Sequence, residues 1–394
     1  MKLQLPSGPL TGEIELPISK SIANRYLIIS ALTGSELLLP EMLPEDVRIL
    51  QEALNSNSSD INIGMAGTAM RFLAAYYSVQ EGKTVVLTGA ERMKLRPIAE
   101  LVDALQSLGF EIEYLEVEGF PPLRITGKKL NGGKVEIAAS VSSQFISALM
   151  MIGPIMKDGL KINLKGKVLS RPYIELTADC MRKCGVEVEF AENSIVIRNS
   201  EYRTADLDIE SDWTSASYFY ALAASRPNSK FLLKALNLKS PQGDSILAKW
   251  FAEIGVTSVQ RENGVEITSS NAIAFPKELD FTDHPDIAQT FALLTVTLGE
   301  ELKLSGLDNL RLKETDRVYA LKTELGKLGV SVFVEGNTMS VSGSISVKVA
   351  YIKTYNDHRM AMAASILSTV MPIEIENPEV VGKSFTRYWS TLWR

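Results

Sequence analysis

The chain is poor in the residues that build metal and redox centres: among its 394 residues are two cysteines, Cys180 and Cys184, and two histidines. The cysteines stand four apart, on one face of a predicted helix, and no Cys or His pattern completes a metal site around them. They read as buried helix residues in a reducing cytoplasm. No apolar run approaches the ~18 residues that a membrane span needs. The N-terminus also lacks the basic-then-apolar order of a signal peptide. A cytoplasmic protein is therefore expected, with no membrane partner. Positive charge is not in excess either. The 41 Lys and Arg against 47 Asp and Glu leave a net charge of −6, which argues against a nucleic-acid partner, since that normally requires a basic face. A hydrophobic content of 45% suits a globular protein, and the length suggests two domains or more.

What the chain does have is charge gathered into local clusters. Five of the seven residues in Arg311-Leu312-Lys313-Glu314-Thr315-Asp316-Arg317 are charged, and a helical pattern follows them. A second cluster, Asn356-Asp357-His358-Arg359, opens another predicted helix. Basic clusters in an acidic chain focus attraction at a site, which points to small anionic ligands.

The clusters fall on a repeat. One type of helix starts with small or polar residues and continues as a small, apolar run. Its starts lie at residues 19, 67, 142, 213, 285 and 356, at intervals of 48, 75, 71, 72 and 71. A second type follows each first one. Four of its copies end in a glycine and then an alternating strand, as in Leu108-Gly109-Phe110, Cys184-Gly185-Val186, Ile254-Gly255-Val256 and Leu328-Gly329-Val330. A left-handed glycine cap followed by apolar–polar alternation is the expected helix-to-strand transition. Six units of about seventy residues are too long for common solenoids. Arranged as two groups of three, with the first unit shortened, they predict two similar α/β domains.

Helix N-termini present unpaired N–H groups and a positive dipole end, so they bind phosphate and carboxylate. Here the first helix type carries its polar residues at that end: Lys20, Ser21 and Arg25; Thr68 and Arg71; Ser142, Ser143 and Gln144; Asp286; His358 and Arg359. Capping accounts for some of the Ser, Thr and Asp, but not for Lys20, Gln144 or Arg359. The segment Arg92-Met93-Lys94-Leu95-Arg96-Pro97 places three cations just before a second-type helix, where the dipole opposes them and an anion would help. Asp286 and Glu314, set among cations, suit general acid–base work.

These residues resemble those of the 5-enolpyruvylshikimate-3-phosphate synthase family, the 3-phosphoshikimate 1-carboxyvinyltransferases. The matching segments are Lys20-Ser21-Ile22-Ala23-Asn24-Arg25, Ala66-Gly67-Thr68-Ala69-Met70-Arg71, Arg92–Pro97, Ser140-Val141-Ser142-Ser143-Gln144, Ser170-Arg171-Pro172-Tyr173, Lys313-Glu314-Thr315-Asp316-Arg317 and Tyr355-Asn356-Asp357-His358-Arg359-Met360-Ala361-Met362. They span nearly the whole chain in family order.

The resemblance implies an α/β (α+β) fold of two similar domains, residues 20–210 and residues 1–19 plus 211–394. Each would be built of three βαβαββ units, with the active site in the interdomain cleft. It implies transfer of the enolpyruvyl group of phosphoenolpyruvate to the 5-hydroxyl of shikimate 3-phosphate, with no metal or organic cofactor, by a monomer. By motif, Asp286, Glu314 and Lys20 would be catalytic. Ser21, Arg25, Ser142, Ser143, Gln144, Ser170, Tyr173, Asn309 and Lys313 would bind shikimate 3-phosphate. Lys20, Gly67, Arg96, Gln144, Arg317, His358, Arg359 and Lys383 would bind phosphoenolpyruvate.

The chain departs from the family pattern at Ala23, Met65, Phe72, Leu95 and Trp213-Thr214, none of which carries an expected chemical role. The expected acidic cluster near residue 45 reads Leu43-Pro44-Glu45-Asp46. Two other readings compete. The related transferase acting on UDP-N-acetylglucosamine usually has a reactive Cys in a mobile loop, whereas both cysteines here fall in a helical pattern. A non-catalytic anion-binding relative would not need both Asp286 and Glu314.

Overall fold

The computed structural model describes residues 1–140, 142–203, 207–271 and 274–392. Val141 of the Ser-Val-Ser-Ser-Gln segment therefore lies outside the described residues. The chain forms two compact units, one of Met1–Ser19 with Glu210–Arg394 and one of Lys20–Ile209.

Four sheets share one pattern: a parallel pair of strands, then an antiparallel hairpin added to the second strand of the pair. In the unit of residues 20–209, Asp60–Asn62 pairs in parallel with Thr84–Thr88, which pairs antiparallel with Leu123–Thr126 and through it with Glu111–Tyr114. Gly133–Ala138, Leu160–Lys165, Ser194–Ile197 and Val188–Ala191 repeat that order. In the other unit, Thr11–Ile14, Lys230–Lys234, Gly264–Ser269 and Val256–Arg261 form a third copy. Glu278–Asp280, Leu302–Ser305, Thr338–Ser342 and Ser331–Glu335 form the fourth. A three-stranded sheet ends the series, with Ile373–Ile375 between Ala350–Ile352 and the N-terminal Lys2–Leu3. The first repeat is reduced to the helices Lys20–Thr33 and Glu45–Leu54.

The first-type helices form the core because they are apolar on nearly every face. In Trp213–Ser225 every residue but the last is buried, and in Ala288–Leu298 every residue but the last. The four helix-ending glycines, Gly109, Gly185, Gly255 and Gly329, all have φ between 82° and 100°. That left-handed geometry is what a glycine cap provides without a Cβ penalty.

The cations of segment 92–97 precede the helix Ala99–Ser107, as expected. Two of them, Arg92 and Lys94, also close the single turn of a short helix, Glu91–Lys94, where the dipole favours cations. Lys94 is paired with Glu91 at 3.4 Å and Glu116 at 3.0 Å. Only Arg96 of the three cations is buried.

Candidate active site

In the unit of residues 20–209, three helices start with the expected polar residues. Lys20 is the first residue of Lys20–Thr33, and its Nζ lies 3.0 Å from Asp46 Oδ2. Asp46 comes from the shortened acidic segment that sequence reasoning set aside. Ser142 caps the helix Ser143–Ile152, its hydroxyl accepting from the N–H of Gln144 at 3.3 Å. The Gln144 amide donates across to Thr68 Oγ1 at 3.1 Å, joining this helix start to that of Gly67–Ser78. Ser170 stands before Arg171–Lys183 in a left-handed conformation, φ 54°, with no hydroxyl bond to the helix. Its side chain is therefore not committed to capping.

Arg96 lies over Gly67. A Cβ built on Gly67 would stand 2.5 Å from Arg96 Nη1 and 2.9 Å from its Cζ. Only glycine admits the guanidinium there. Arg96 is 6% exposed, and its Nε and Nη1 have no hydrogen-bond partner among the described residues. A buried guanidinium with unmatched donors beside a helix N-terminus is a site built for an anion. Arg71 braces the loop, donating to Gly67 O at 3.3 Å and Pro97 O at 2.8 Å.

Arg25 is placed differently from its expected role. Its guanidinium donates to Thr177 Oγ1, Ser21 O, Ser147 Oγ and Tyr173 O, at 2.7 to 3.2 Å. It also lies 5.6 Å from the Phe72 ring centroid. Burial lowers its pKa to about 10. These bonds hold the Ser21 and Tyr173 backbones together, so Arg25 supports the residues that sequence reasoning grouped with it. Of the sequence departures, Phe72 is buried beneath Arg25 and Leu95 is exposed.

In the other unit, an ion cluster assembles residues from four segments. Asp286 lies in the turn Pro285–Ile287. Its carboxylate meets Arg359 Nη2 at 2.8 Å, Arg317 Nη1 at 3.1 Å and Lys313 Nζ at 3.4 Å. Glu314 meets Lys383 Nζ at 2.8 Å and Arg317 Nη2 at 3.0 Å. Arg317, 1% exposed, also donates through Nε to Asp357 at 2.7 Å. Asp357 caps its own helix, accepting from Arg359 N at 2.8 Å. Sequence reasoning quoted Asp357 within a motif but gave it no role, and its cation, Arg317, lies forty residues away in the chain. His358 is buried, with Nδ1 3.8 Å from Asp357 Oδ1. Asn309 is half-buried in the 3₁₀ turn Asp308–Leu312. Arg311 lies at the surface, paired with Asp316.

The electrostatics follow from this packing. Burial alone would raise the Asp286 carboxyl, but Arg359, Lys313 and Arg317 together hold it well below the usual carboxylate range. Burial lowers Lys313 despite Asp286. A further carboxyl, Asp244, is buried beside Thr214, whose hydroxyl donates to it. Burial, and next the negative charge of Asp286, push Asp244 up to about 7. Both cysteines are buried, and burial pushes the Cys180 thiol up to about 12 and Cys184 to about 11. Neither is a thiolate at neutral pH.

The family model of EPSP synthase (3-phosphoshikimate 1-carboxyvinyltransferase) matches residues 45–392. The 3-phosphoshikimate 1-carboxyvinyltransferase of Bacteroides fragilis is 42% identical, the alignment covering 99% of this chain and 96% of that one. The enzyme of the same name from Colwellia psychrerythraea is 34% identical, covering 98% and 97%. A solved structure of EPSP synthase from Acinetobacter baumannii shares the fold at a TM-score of 0.76 and 20% identity, covering 99% and 97%. The match extends over nearly the whole length in every case, and the chain belongs to the EPSP synthase (3-phosphoshikimate 1-carboxyvinyltransferase) family.

Proposed function

We propose that the protein transfers the enolpyruvyl group of phosphoenolpyruvate to the 5-hydroxyl of shikimate 3-phosphate, releasing phosphate. The observation that carries this reading is the Asp286 carboxylate held by Lys313, Arg317 and Arg359. Simple anion binding would be weakened by a carboxylate placed among the cations. A reaction that must take a proton from a hydroxyl beside two polyanions needs one.

In the first step O5 of shikimate 3-phosphate bonds to C2 of phosphoenolpyruvate, its proton goes to Asp286, and C3 gains a proton. In the second step the bond from C2 to the phosphate oxygen breaks, C3 loses a proton, and the enolpyruvyl ether is left. In the free protein Asp286 is held too low to be an effective base. Phosphate and carboxylate groups arriving on Arg317, Arg359 and Lys313 would compete for the same cations and raise it. The substrates themselves thus prepare the base. Glu314 and Lys20 are the groups proposed to serve C3, with Lys383 Nζ 2.8 Å from the Glu314 carboxylate. Arg96 over Gly67, with Arg317, Arg359, His358, Lys383, Lys20 and Gln144, would hold phosphoenolpyruvate. Ser142, Ser143, Gln144, Ser170, Ser21, Tyr173, Asn309 and Lys313 would hold shikimate 3-phosphate, with Arg25 fixing Ser21 and Tyr173.

No helix among the described residues is long and apolar enough to cross a membrane. We take the protein to act in the cytoplasm as a monomer. The test is phosphate release from phosphoenolpyruvate with shikimate 3-phosphate or UDP-N-acetylglucosamine as acceptor. Release with shikimate 3-phosphate alone is expected. Release only with the sugar nucleotide, or with neither acceptor from folded protein, would overturn the reading.

A further inference from the structure

Just before the ion cluster the backbone takes an unfavourable path. Tyr355 and Asn356 have φ of 55° and 56°, two consecutive non-glycine residues in the left-handed region. Such residues are disfavoured and persist only where the surroundings hold them. The turn they make delivers Asp357 in an extended conformation, φ −113° and ψ 116°, at the start of the helix His358–Ala364.

The holding group is Glu324. This glutamate is 2% exposed, and its carboxylate accepts from Tyr355 Oη at 2.6 Å and from Lys353 N at 3.1 Å. Lys327 Nζ donates to both of its oxygens at 2.7 Å. Glu324 lies on Arg317–Lys327, seven residues and two helical turns after Arg317, so the two side chains leave the same face. The segment from 353 to 357 is thereby tied to that helix at three points, at Lys353 and Tyr355 through Glu324 and at Asp357 through Arg317. The Tyr355 ring also meets Tyr319 of the same helix edge-on, centroids 6.4 Å apart.

We infer that the Glu324–Tyr355 hydrogen bond is a latch that holds the left-handed Tyr355–Asn356 turn against the helix Arg317–Lys327 and so fixes where Arg359 enters the anion cluster. The inference rests on the proposed role of Arg359 in holding phosphoenolpyruvate. Tyr355 and Glu324 are positioning residues, since they act through the backbone that carries Arg359. A guanidinium that must match an anion geometrically loses most of its benefit when displaced by about 1 Å.

The test compares Tyr355→Phe, Glu324→Gln, Tyr355→Phe with Asn356→Gly, and Arg359→Ala in steady-state kinetics, with thermal melts as a check of folding. Tyr355→Phe keeps the ring against Tyr319 and removes the hydroxyl. It is expected to raise the phosphoenolpyruvate KM about tenfold, equivalent to ~1.4 kcal/mol. The shikimate 3-phosphate KM should stay within about twofold, because Lys313 precedes the helix and is not carried by the turn. Glu324→Gln keeps a hydrogen-bond acceptor without the charge and should raise the same KM about threefold. Adding Asn356→Gly to Tyr355→Phe should recover part of the loss, since glycine occupies the left-handed conformation freely; a packing defect at Tyr355 would gain nothing from it. An equal rise in both KM values, or a Tyr355→Phe enzyme with unchanged phosphoenolpyruvate KM while Arg359→Ala raises it, would overturn the latch alone. An unchanged phosphoenolpyruvate KM in Arg359→Ala would overturn both the latch and the reading it rests on.

Discussion

Replacing Arg317 by Gln should destabilise the discontinuous unit by about 3–5 kcal/mol at pH 8, and the structure says which group is responsible. Arg317 touches three carboxylates. Without it, Asp286 keeps Arg359 at 2.8 Å and Lys313 at 3.4 Å, and Glu314 keeps Lys383 at 2.8 Å. Asp357, fully buried, keeps the Arg359 backbone N–H and His358 Nδ1 at 3.8 Å, but among the described residues it pairs with no other Lys or Arg side chain. Breaking a buried pair by removing one partner costs about this much because it strands the other charge. The double variant Arg317→Gln, Asp357→Asn should recover a large part of the loss, since neither member is then charged.

Urea unfolding followed by tryptophan fluorescence suits the measurement. None of the four tryptophans lies between residues 20 and 209, so the signal reports on the unit that contains Arg317. With total stabilities of ~5–15 kcal/mol, a loss of this size moves the midpoint clearly. A deficit below about 1 kcal/mol, or a double variant no more stable than the single one, would refute the reasoning.

Asp286→Asn and Glu314→Gln should each lower turnover by two orders of magnitude or more, since general acid–base contributions are ~10²–10⁴-fold; near-normal turnover in both would remove them from proton transfer. Arg96→Ala should raise the phosphoenolpyruvate KM at least tenfold with little effect on that of shikimate 3-phosphate, measured by varying each substrate in turn, and equal effects would displace it from its proposed ligand. Asp244 offers a pH-dependent test of stability. Its folded pKa of about 7 lies above the unfolded value of 3.8, so the native state retains a proton that the unfolded chain releases, and stability falls as pH rises through that window. The loss is on the order of 4 kcal/mol across the window. Asp244→Asn lacks that slope, so its stability relative to the parent should be higher at pH 8 than at pH 4, as read from urea midpoints; a pH-independent difference would refute it.

Much of this was readable from the chain because helix starts and glycine caps are local signals. The helices begin at Lys20, Gly67, Ser143, Trp213 and His358, each within two residues of the expected start, and Pro285 opens a 3₁₀ turn before Ala288. The charge clusters were legible for the same reason: Lys313, Glu314 and Arg317 fall within five residues. Their pairing with Asp286 and Asp357 joins segments tens of residues apart, which spacing alone does not encode. The cations of segment 92–97 do stand before the helix Ala99–Ser107, but the short helix Glu91–Lys94 that carries two of them has too few residues to show a period. Strands such as Asp60–Asn62 and Glu278–Asp280 are three residues long and too short for alternation to register. Asp244, alone in Gln242-Gly243-Asp244-Ser245, has no neighbour that would mark it. Only its burial beside Asp286 does.

The pairing of Thr11–Ile14 with Lys230–Lys234 sets the order in which the chain can be completed during synthesis. That strand leaves the ribosome more than two hundred residues before its partner, a wait on the order of ten to forty seconds at ~5–20 residues per second. The unit of residues 20–209 is continuous and can finish in the interval. The first nineteen residues meanwhile trail as an unpaired leader strand, with apolar Leu3, Leu5, Leu10 and Ile14 not yet covered. Lys2–Leu3 waits longer still, because its partner Ile373–Ile375 lies further along the chain than Lys230–Lys234. The discontinuous unit therefore closes later than the continuous one, and its N-terminal segment is the part that must stay uncovered in the meantime.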